Sequence, residues 1–427
     1  MSDIAMKQEP TPPEPPTPAA PSDTDARIVA ARALFAGNLL GTPAAPTKAG
    51  FLALARASKD VWNAWRKAYP EPMPDFSGLN FSGDAAIDFS GFSFAGGRVD
   101  EETKEPIHCV DFTGCTFGDK ASFEGAQFGK WASFMGAQFG DKASFDAWDE
   151  SATRNFWRKL GGEEFAQQRA SYAEAQGLRS DAFDYISFCG AQFKGEVSFQ
   201  GRIFLSKTDF GPTPDEITVK TPDGEKVIPK GQKTSFRGIP NFHGCTLHQN
   251  TSIIDAEFLA PPSAEAARAY RTLKLAFAEQ HAIREEQKFF KLEMQAETGI
   301  ATGSKKRLYQ LYEIISDYGF SLKHPLKYWL YCLAGFALIY GLHTETYGWN
   351  GNISRERTLQ WVHYALLNAV PLPGFDKNLE LLRSDLFSNE AIIQFIVTVL
   401  EILHKTVSLL AFFLIGLALR NLFKMKG

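Results

Sequence analysis

Cysteine is scarce in this sequence of 427 residues, and its placement argues against a disulfide framework or a metal site. The five cysteines form no CxxC pair, and none has histidines at the spacing that a zinc site requires. The motifs of a hydrolase nucleophile elbow, a Walker loop and an HExxH metalloprotease are also missing. We therefore predict a non-enzymatic protein with no catalytic, cofactor-binding or metal-binding residues.

The chain also has no excess of basic charge. Its formal net charge is −4, and residues 72–260 carry more acidic than basic side chains. A basic surface is the usual electrostatic mark of a nucleic-acid-binding protein. Nucleic acid is therefore not an expected partner.

The N-terminus lacks the basic and apolar regions of a cleaved secretory signal. Residues 1–24 are rich in proline, which predicts a disordered, extended tail. Residues 25–71 have the periodicity of short amphipathic helices, which we place at 25–41 and 48–70.

Phenylalanine, in contrast, is abundant: the chain has 36 Phe but only 12 Tyr and 8 Trp. Many of these Phe residues are separated by alternating steps of five and six, a period that fits neither a helix nor an ordinary strand. Such regularity is typical of a repeat architecture. The predicted repeat centres are Phe76, Phe81, Phe89, Phe94, Phe112, Phe117, Phe123, Phe128, Phe134, Phe139, Phe145, Phe188, Phe193, Phe199, Phe204, Phe210, Phe236, Phe242, Leu247, Ile253 and Phe258.

The residues around each centre indicate how the repeats are built. The residue two positions before the centre is nearly always small, and the residue two positions after it is often glycine. In an extended segment, residues two apart point the same way, so one large and one small side chain share the interior. We predict a coil with four short extended faces, stacked on the next coil through backbone hydrogen bonds.

This pattern, including the segment "GAQF", resembles the pentapeptide-repeat family. The resemblance implies a β-solenoid, a right-handed quadrilateral β-helix, over residues 72–260. The chain departs from the family pattern by one extra residue in every second repeat. Two insertions are predicted to bulge from corners of the coil: a helical one at 146–185 and a β-hairpin at 214–229.

The period changes after the repeats. Residues 261–324 have the pattern of amphipathic helices, including one long helix over 263–297. We expect this long helix to close the end of the β-helix or to pack on a second subunit, which makes a homodimer one of the expected assemblies.

Residues 325–427 contain two long apolar stretches, at about 325–344 and 395–420. Each is long enough to cross a bilayer, so we predict two transmembrane helices joined by an external loop. Basic residues before the first stretch and after the second place both termini in the cytoplasm. With "SDYGFSLKHP" and "FFLIGLALRNLFK", residues 50–427 resemble a bacterial group of membrane-anchored pentapeptide-repeat proteins, which implies a multi-pass protein of the inner membrane.

Glu401 and Lys405 lie one helical turn apart in the second stretch. An ionisable pair at membrane depth indicates function by default, whereas a pair at the outer interface does not. Both interpretations remain open from the sequence.

These features predict a membrane-tethered scaffold that presents its repeats to an unidentified cytoplasmic protein, with the lipid bilayer as a second partner. One alternative is an ion-channel-like two-helix pore with a regulatory repeat domain, although "AVPLPGF" lacks the carbonyl row of a potassium filter. Another is a DNA mimic that inhibits topoisomerases, as some proteins with these repeats do.

Overall fold

The structure is a computed structural model, and it describes residues 25–37, 39–94, 110–147, 182–253, 255–348, 355–370 and 376–424. The chain divides into two compact units. The first comprises Met1–Pro261 with Arg268–Glu285, and the second comprises Pro262–Ala267 with Glu286–Gly427. The predicted tail, 1–24, lies outside the described residues.

Short helices and very short strands make up the first unit. The helices are α1 (Ala26–Ala33), α2 (Lys48–Ala57), α3 (Lys59–Ala68) and, after the strands, α4 (Ala264–Glu279), which extends into the second unit. The strands are β1 (Gly41–Thr42), β2 (Ala45–Pro46), β3 (Asn80–Phe81), β4 (Val110–Asp111), β5 (Thr116–Phe117), β6 (Trp131–Ser133), β7 (Gln138–Phe139), β8 (Ala143–Ser144), β9 (Ala182–Phe183), β10 (Tyr185–Ser187), β11 (Gln192–Phe193), β12 (Val197–Ser198), β13 (Ile203–Phe204), β14 (Thr208–Asp209), β15 (Ile217–Thr221), β16 (Gly224–Ile228), β17 (Ser235–Phe236), β18 (Pro240–Asn241) and β19 (Glu257–Phe258).

The repeat strands form four parallel sets, and from β6 to β18 the chain visits these sets in a fixed order. The sets are β4-β6-β10-β14, β3-β5-β7-β11-β17-β19, β8-β12-β18 and β9-β13. The pairing register places one repeat centre on the next; for example, Phe193 is opposite both Phe139 and Phe236. Parallel pairing between successive turns is the arrangement of a β-helix, so the repeats have a β-helix-like fold.

Aromatic rings continue this register inside the coils. In three of the four columns, rings from successive turns are nearly parallel, with centroids 4.8–5.4 Å apart. This separation follows the spacing of hydrogen-bonded strands, which is about 4.8 Å. Rings in neighbouring columns also meet edge to face, as Phe117 and Phe123 do at 5.2 Å. Backbone pairing and ring stacking therefore reinforce one another.

The fourth column is irregular. Phe94 and Phe128 are stacked, but Phe183 meets both Phe128 and Phe204 at steep angles of 63° and 73°. Phe183 was not among the predicted centres, because the helical insertion was predicted to continue to residue 185. The strands β9 and β10 show that the chain has already rejoined the coil at residue 182, since Phe183 fills this column. Residues 148–181 of that insertion lie outside the described residues.

A fully buried arginine accounts for the irregular column. Arg202 lies two residues before Phe204, at the interior position that is small in most other repeats. Its guanidinium donates to the carbonyls of Phe145, Ala126 and Phe123 at 2.5, 3.2 and 3.1 Å. It also lies over the ring of Phe183, 4.6 Å from the centroid. The carbonyl dipoles and the face of the Phe183 ring stabilise the positive charge of Arg202. The guanidinium thus occupies space that a parallel stack of rings would otherwise fill.

The hairpin β15–β16 forms within the predicted insertion, but it does not bulge from the coil. Val219 and Ile228 are buried against the corner glycines Gly114 and Gly136. A Cβ at Gly136 would lie 2.5 Å from Ile228 Cδ1, so only glycine leaves room for this contact. Lys226 Nζ also donates to the carbonyl of Gly114 at 2.8 Å. The hairpin therefore lies along one edge of the stacked coils.

Aromatic side chains from helices close the two ends of the β-helix. At the first end, Trp62 of α3 packs on the rings of Phe76 and Phe94 at 5.8 and 5.5 Å. At the other end, Tyr270 of α4 meets Phe258 edge to face at 6.0 Å. Capping removes exposed strand edges and rings from water, which a solenoid requires for solubility.

The single long helix predicted over 263–297 is wrong. The chain forms α4 and then α5 (Ile283–Ile300), with a turn at His281, whose φ is 57°. This left-handed conformation cannot continue an α-helix. The predicted helix over 48–70 is likewise divided at Ser58, whose side chain caps α3.

The interior thiols are expected to resist alkylation. Burial raises the pKa of Cys189 to about 11 and of Cys245 to about 12, and it raises the pKa of Cys115 further still. Because the thiolate is the reactive form, we expect alkylation at pH 8.5 to be at least about 100-fold slower in the native protein than in urea. Peptide mass spectrometry after timed alkylation measures this ratio. Equal rates in buffer and urea would contradict the closed interior.

Helices make up the second unit. After α5 come α6 (Gly303–Ser316), α7 (Lys323–Gly348), α8 (Arg355–Ala369), α9 (Asp376–Leu386) and α10 (Ala391–Lys424). Within the described ranges, one stretch, Ala391–Asn421, is long and apolar enough to cross a membrane. Only 28% of its apolar window is buried, whereas a core helix of a soluble protein is mostly buried. Its length, composition and exposure are the observations that point to membrane association.

Candidate functional sites

The predicted repeat centres lie inside the coils. All of those from Phe76 to Ile253 are buried, and Phe258, at the last turn, is half-buried. These side chains are therefore structural and are not accessible to a partner. Any binding by the repeat unit must use the outward-facing side chains and the hairpin.

An open groove runs between the hairpin and the stacked coils. Its volume is about 440 Å³, and it is lined by Lys48, Asp75, Ser77, Asp111, Thr113, Met135, Ile217, Thr218, Val219 and Lys220. Lys48 Nζ donates to the Ser77 carbonyl and hydroxyl at 2.5 and 2.9 Å, and it lies 3.5 Å from Asp75. The groove thus carries both signs of charge beside apolar side chains, which suits an extended polypeptide more than a single small anion.

Sequence reasoning located the hairpin but not this groove. The groove forms because the hairpin folds back onto turns that are more than 100 residues earlier in the chain, as the bond from Lys226 to Gly114 shows. The glycines two residues after the repeat centres were the sequence signal that could have indicated this contact. They mark corners of the coil where the absence of a Cβ lets the hairpin pack closely.

A second candidate site lies among α7–α10. Glu401 is buried, its carboxylate accepts from the Tyr364 hydroxyl, and Arg383 Nη1 lies 3.3 Å from its other oxygen. Arg383 also donates to Thr398 at 2.7 Å and to the Gln394 side chain at 2.8 Å. This guanidinium connects α9 to α10 around a buried carboxylate.

This arrangement corrects the predicted pair of Glu401 and Lys405. The cation beside Glu401 is Arg383 from another helix, whereas Lys405 is half-exposed on α10. Arg383 reaches the carboxylate because α9 folds back against α10. The sequence spacing of four residues could not reveal this tertiary contact.

More polar groups continue along the same part of the bundle. His404 and Ser408 follow Glu401 at helical spacing on α10, and both are fully buried, as is Asn368 of α8. His404 stacks on Phe336 at 4.1 Å, and its Nδ1 lies 3.5 Å from the Tyr340 hydroxyl. Among the described residues, no partner binds His404 Nε2, Ser408 Oγ or Asn368 Oδ1. Buried polar atoms without a hydrogen-bond partner in the protein are positions where a water molecule or an ion can bind.

Arg383→Gln is expected to destabilise the helical unit, because it leaves the Glu401 carboxylate buried without its cation. Breaking such a pair typically costs about 3–5 kcal/mol. The double variant Arg383→Gln/Glu401→Gln should recover most of this loss, since it removes both charges. Thermal unfolding in detergent measures the effect, with Arg420→Gln as an exposed control on α10. Additive losses in the double variant would contradict coupling between the two residues.

Comparison with known proteins supports the repeats. Residues 108–149 match the family model for pentapeptide repeats, described as pentapeptide repeats (9 copies). Comparisons with curated proteins and with solved structures find no significant match to either. In the described part of the chain, no group of three or more His, Cys, Asp or Glu is placed to hold a metal ion.

Proposed function

We propose that this protein is a non-enzymatic, membrane-tethered scaffold whose cytoplasmic repeats, a right-handed quadrilateral β-helix, bind a partner protein along one edge. The observation that carries this proposal is the groove between the hairpin and the coils. It is open, and its lining combines Lys48, Asp75, Asp111 and Lys220 with the apolar Met135. A β-helix offers flat, regular faces, so this groove is where specific lateral contact is best supported.

Site-specific photo-crosslinking in native membranes tests the partner site. A crosslinking amino acid at Thr218, which is exposed beside the groove, is expected to yield one discrete adduct. The same group at Gln200, exposed at the opposite corner of the coil, is the matched control and should not yield it. Lys220→Glu should abolish the adduct, whereas Lys130→Glu should not. Identical adducts from both positions would refute a site at this edge.

The tether is proposed as a hairpin of two transmembrane helices, α7 and α10, with both termini in the cytoplasm of a bacterial inner membrane. The apolar stretch in α10 supports one of these two spans, and the basic residues at 305–307 and 420–426 are the reason for the proposed orientation. A cysteine introduced at 352 should react with a membrane-impermeant thiol reagent in intact cells. Cysteines at 305 and 424 should react only after the membrane is opened, and the reverse pattern would invert the orientation.

The buried polar groups on α10 and α8 favour a second candidate, an ion-channel-like pore regulated by the repeats. His404, Ser408 and Asn368 have buried polar atoms that could accompany an ion or a proton. Purified protein in liposomes should then conduct, and Asn368→Ala should change the conductance. Reproducible wild-type currents would favour the pore over the scaffold. The DNA-mimic alternative stays a prediction.

A further inference from the structure

Helix α6 exposes an apolar stripe to solvent. Leu308, Leu311 and Ile314 are 63%, 51% and 55% exposed. Because successive members are three residues apart, they lie on one side of the helix. Ile315, half-buried, extends the same side. A stripe of this size on a regular helix of fourteen residues is typical of a surface that another phase or molecule covers.

The position of α6 indicates what covers the stripe. The loop that follows α6 meets the end of the candidate membrane span, because Asn421 Nδ2 donates to the Gly319 carbonyl at 3.0 Å. Asn421 is also the last residue of the apolar stretch Ala391–Asn421. If that stretch spans a bilayer, the C-terminal end of α6 lies at the depth where the span leaves the hydrocarbon.

The charges around α6 fit an anionic surface. Its first turns carry Lys305, Lys306 and Arg307, and Arg420 precedes Asn421 at the end of the span. Lys305 lies 3.6 Å from Glu297, whereas Arg307 is exposed beside the apolar stripe. Long basic side chains in such a place keep their charge among lipid headgroups while their stems contact the acyl boundary.

We propose that α6 is an interfacial helix that binds anionic phospholipid headgroups, with Leu308, Leu311 and Ile314 entering the membrane surface. This inference rests on the proposed membrane tether. A protein partner or a second copy of the chain would be a different occupant. The basic side chains in the first turns of α6, together with Arg420 at the end of the apolar span, favour an anionic lipid surface over both. The helix would hold the segment before α7 on the cytoplasmic leaflet.

Hydrogen–deuterium exchange of the full chain in nanodiscs tests the proposal. Amides of 303–316 are expected to exchange more slowly in discs that contain phosphatidylglycerol than in discs of phosphatidylcholine alone. Each basic residue near an anionic surface changes the binding constant about fivefold. Lys306→Glu/Arg307→Glu should therefore remove the difference between the two discs. The control Lys130→Glu/Lys194→Glu makes the same charge change at exposed residues of the β-helix and should preserve the difference.

The readout separates this proposal from the tether. Slow exchange of α10 in both kinds of disc supports the tether whatever α6 does, and fast exchange of α10 in both would refute the tether itself. Equal exchange of α6 in the two discs would overturn the proposal, either because the helix is uncovered or because protein covers it. Leu308→Gln/Leu311→Gln should also reduce protection in anionic discs, and unchanged protection would overturn the role of the stripe.

Discussion

Phe134→Asp is expected to unfold the repeats. Phe134 is fully buried and stacks on Phe112 and Phe188 at 4.9 and 5.2 Å, with Phe123 and Phe145 edge to face beside it. Losing a buried aromatic ring alone costs about 3–5 kcal/mol. A carboxylate in the same place adds an uncompensated buried charge. Because whole domains are stable by only about 5–15 kcal/mol, the sum removes most or all of the stability.

Limited proteolysis at increasing urea concentrations measures the free energy of unfolding of the repeats. Lys130→Asp introduces the same side chain at an exposed residue of the same coil region and should change that free energy by less than about 0.5 kcal/mol. If both variants resisted proteolysis equally, the interior position of Phe134 would be wrong.

Arg202→Ala is expected to destabilise the β-helix by several kcal/mol, although it removes a charge from an apolar interior. The guanidinium donates to three buried carbonyls, those of Phe145, Ala126 and Phe123. A buried acceptor left without its donor costs about 1–3 kcal/mol, and the space left by the side chain adds a cavity. Arg202→Lys should rescue only part of the loss, because an ammonium cannot reproduce the planar fork.

The same urea titration measures this effect. Arg237→Ala is the matched control, since Arg237 is an exposed arginine in the next turn of the coil. Its loss should stay below about 0.5 kcal/mol. Equal stability of the Arg202 and Arg237 variants would show that the buried guanidinium contributes nothing net, as happens for some buried ion pairs.

The repeat interior was predictable because it depends on local order. Alternating steps of five and six specify which side chains point inward, and stacking then follows from strand pairing. The sequence pattern therefore located every described ring of the three regular columns. The pattern missed Phe183, because this residue directly follows a long insertion that interrupts the repeat spacing. It also missed the role of Arg202, although "GRIF" has an arginine at the position where most repeats have a small residue.

Sequence alone thus determined the repeat region, its period and its interior, the hairpin and the apolar stretch in α10, because each depends on residues near one another in the chain. Tertiary structure decided the rest. The hairpin lies on the coils because Val219 and Ile228 pack against glycines of earlier turns. Glu401 forms its ion pair with Arg383 because α9 folds back on α10. Which carbonyls receive Arg202, and which end of the span α6 adjoins, also depend on residues far apart in sequence. No periodicity encodes such contacts, since they exist only once the coils and helices have packed.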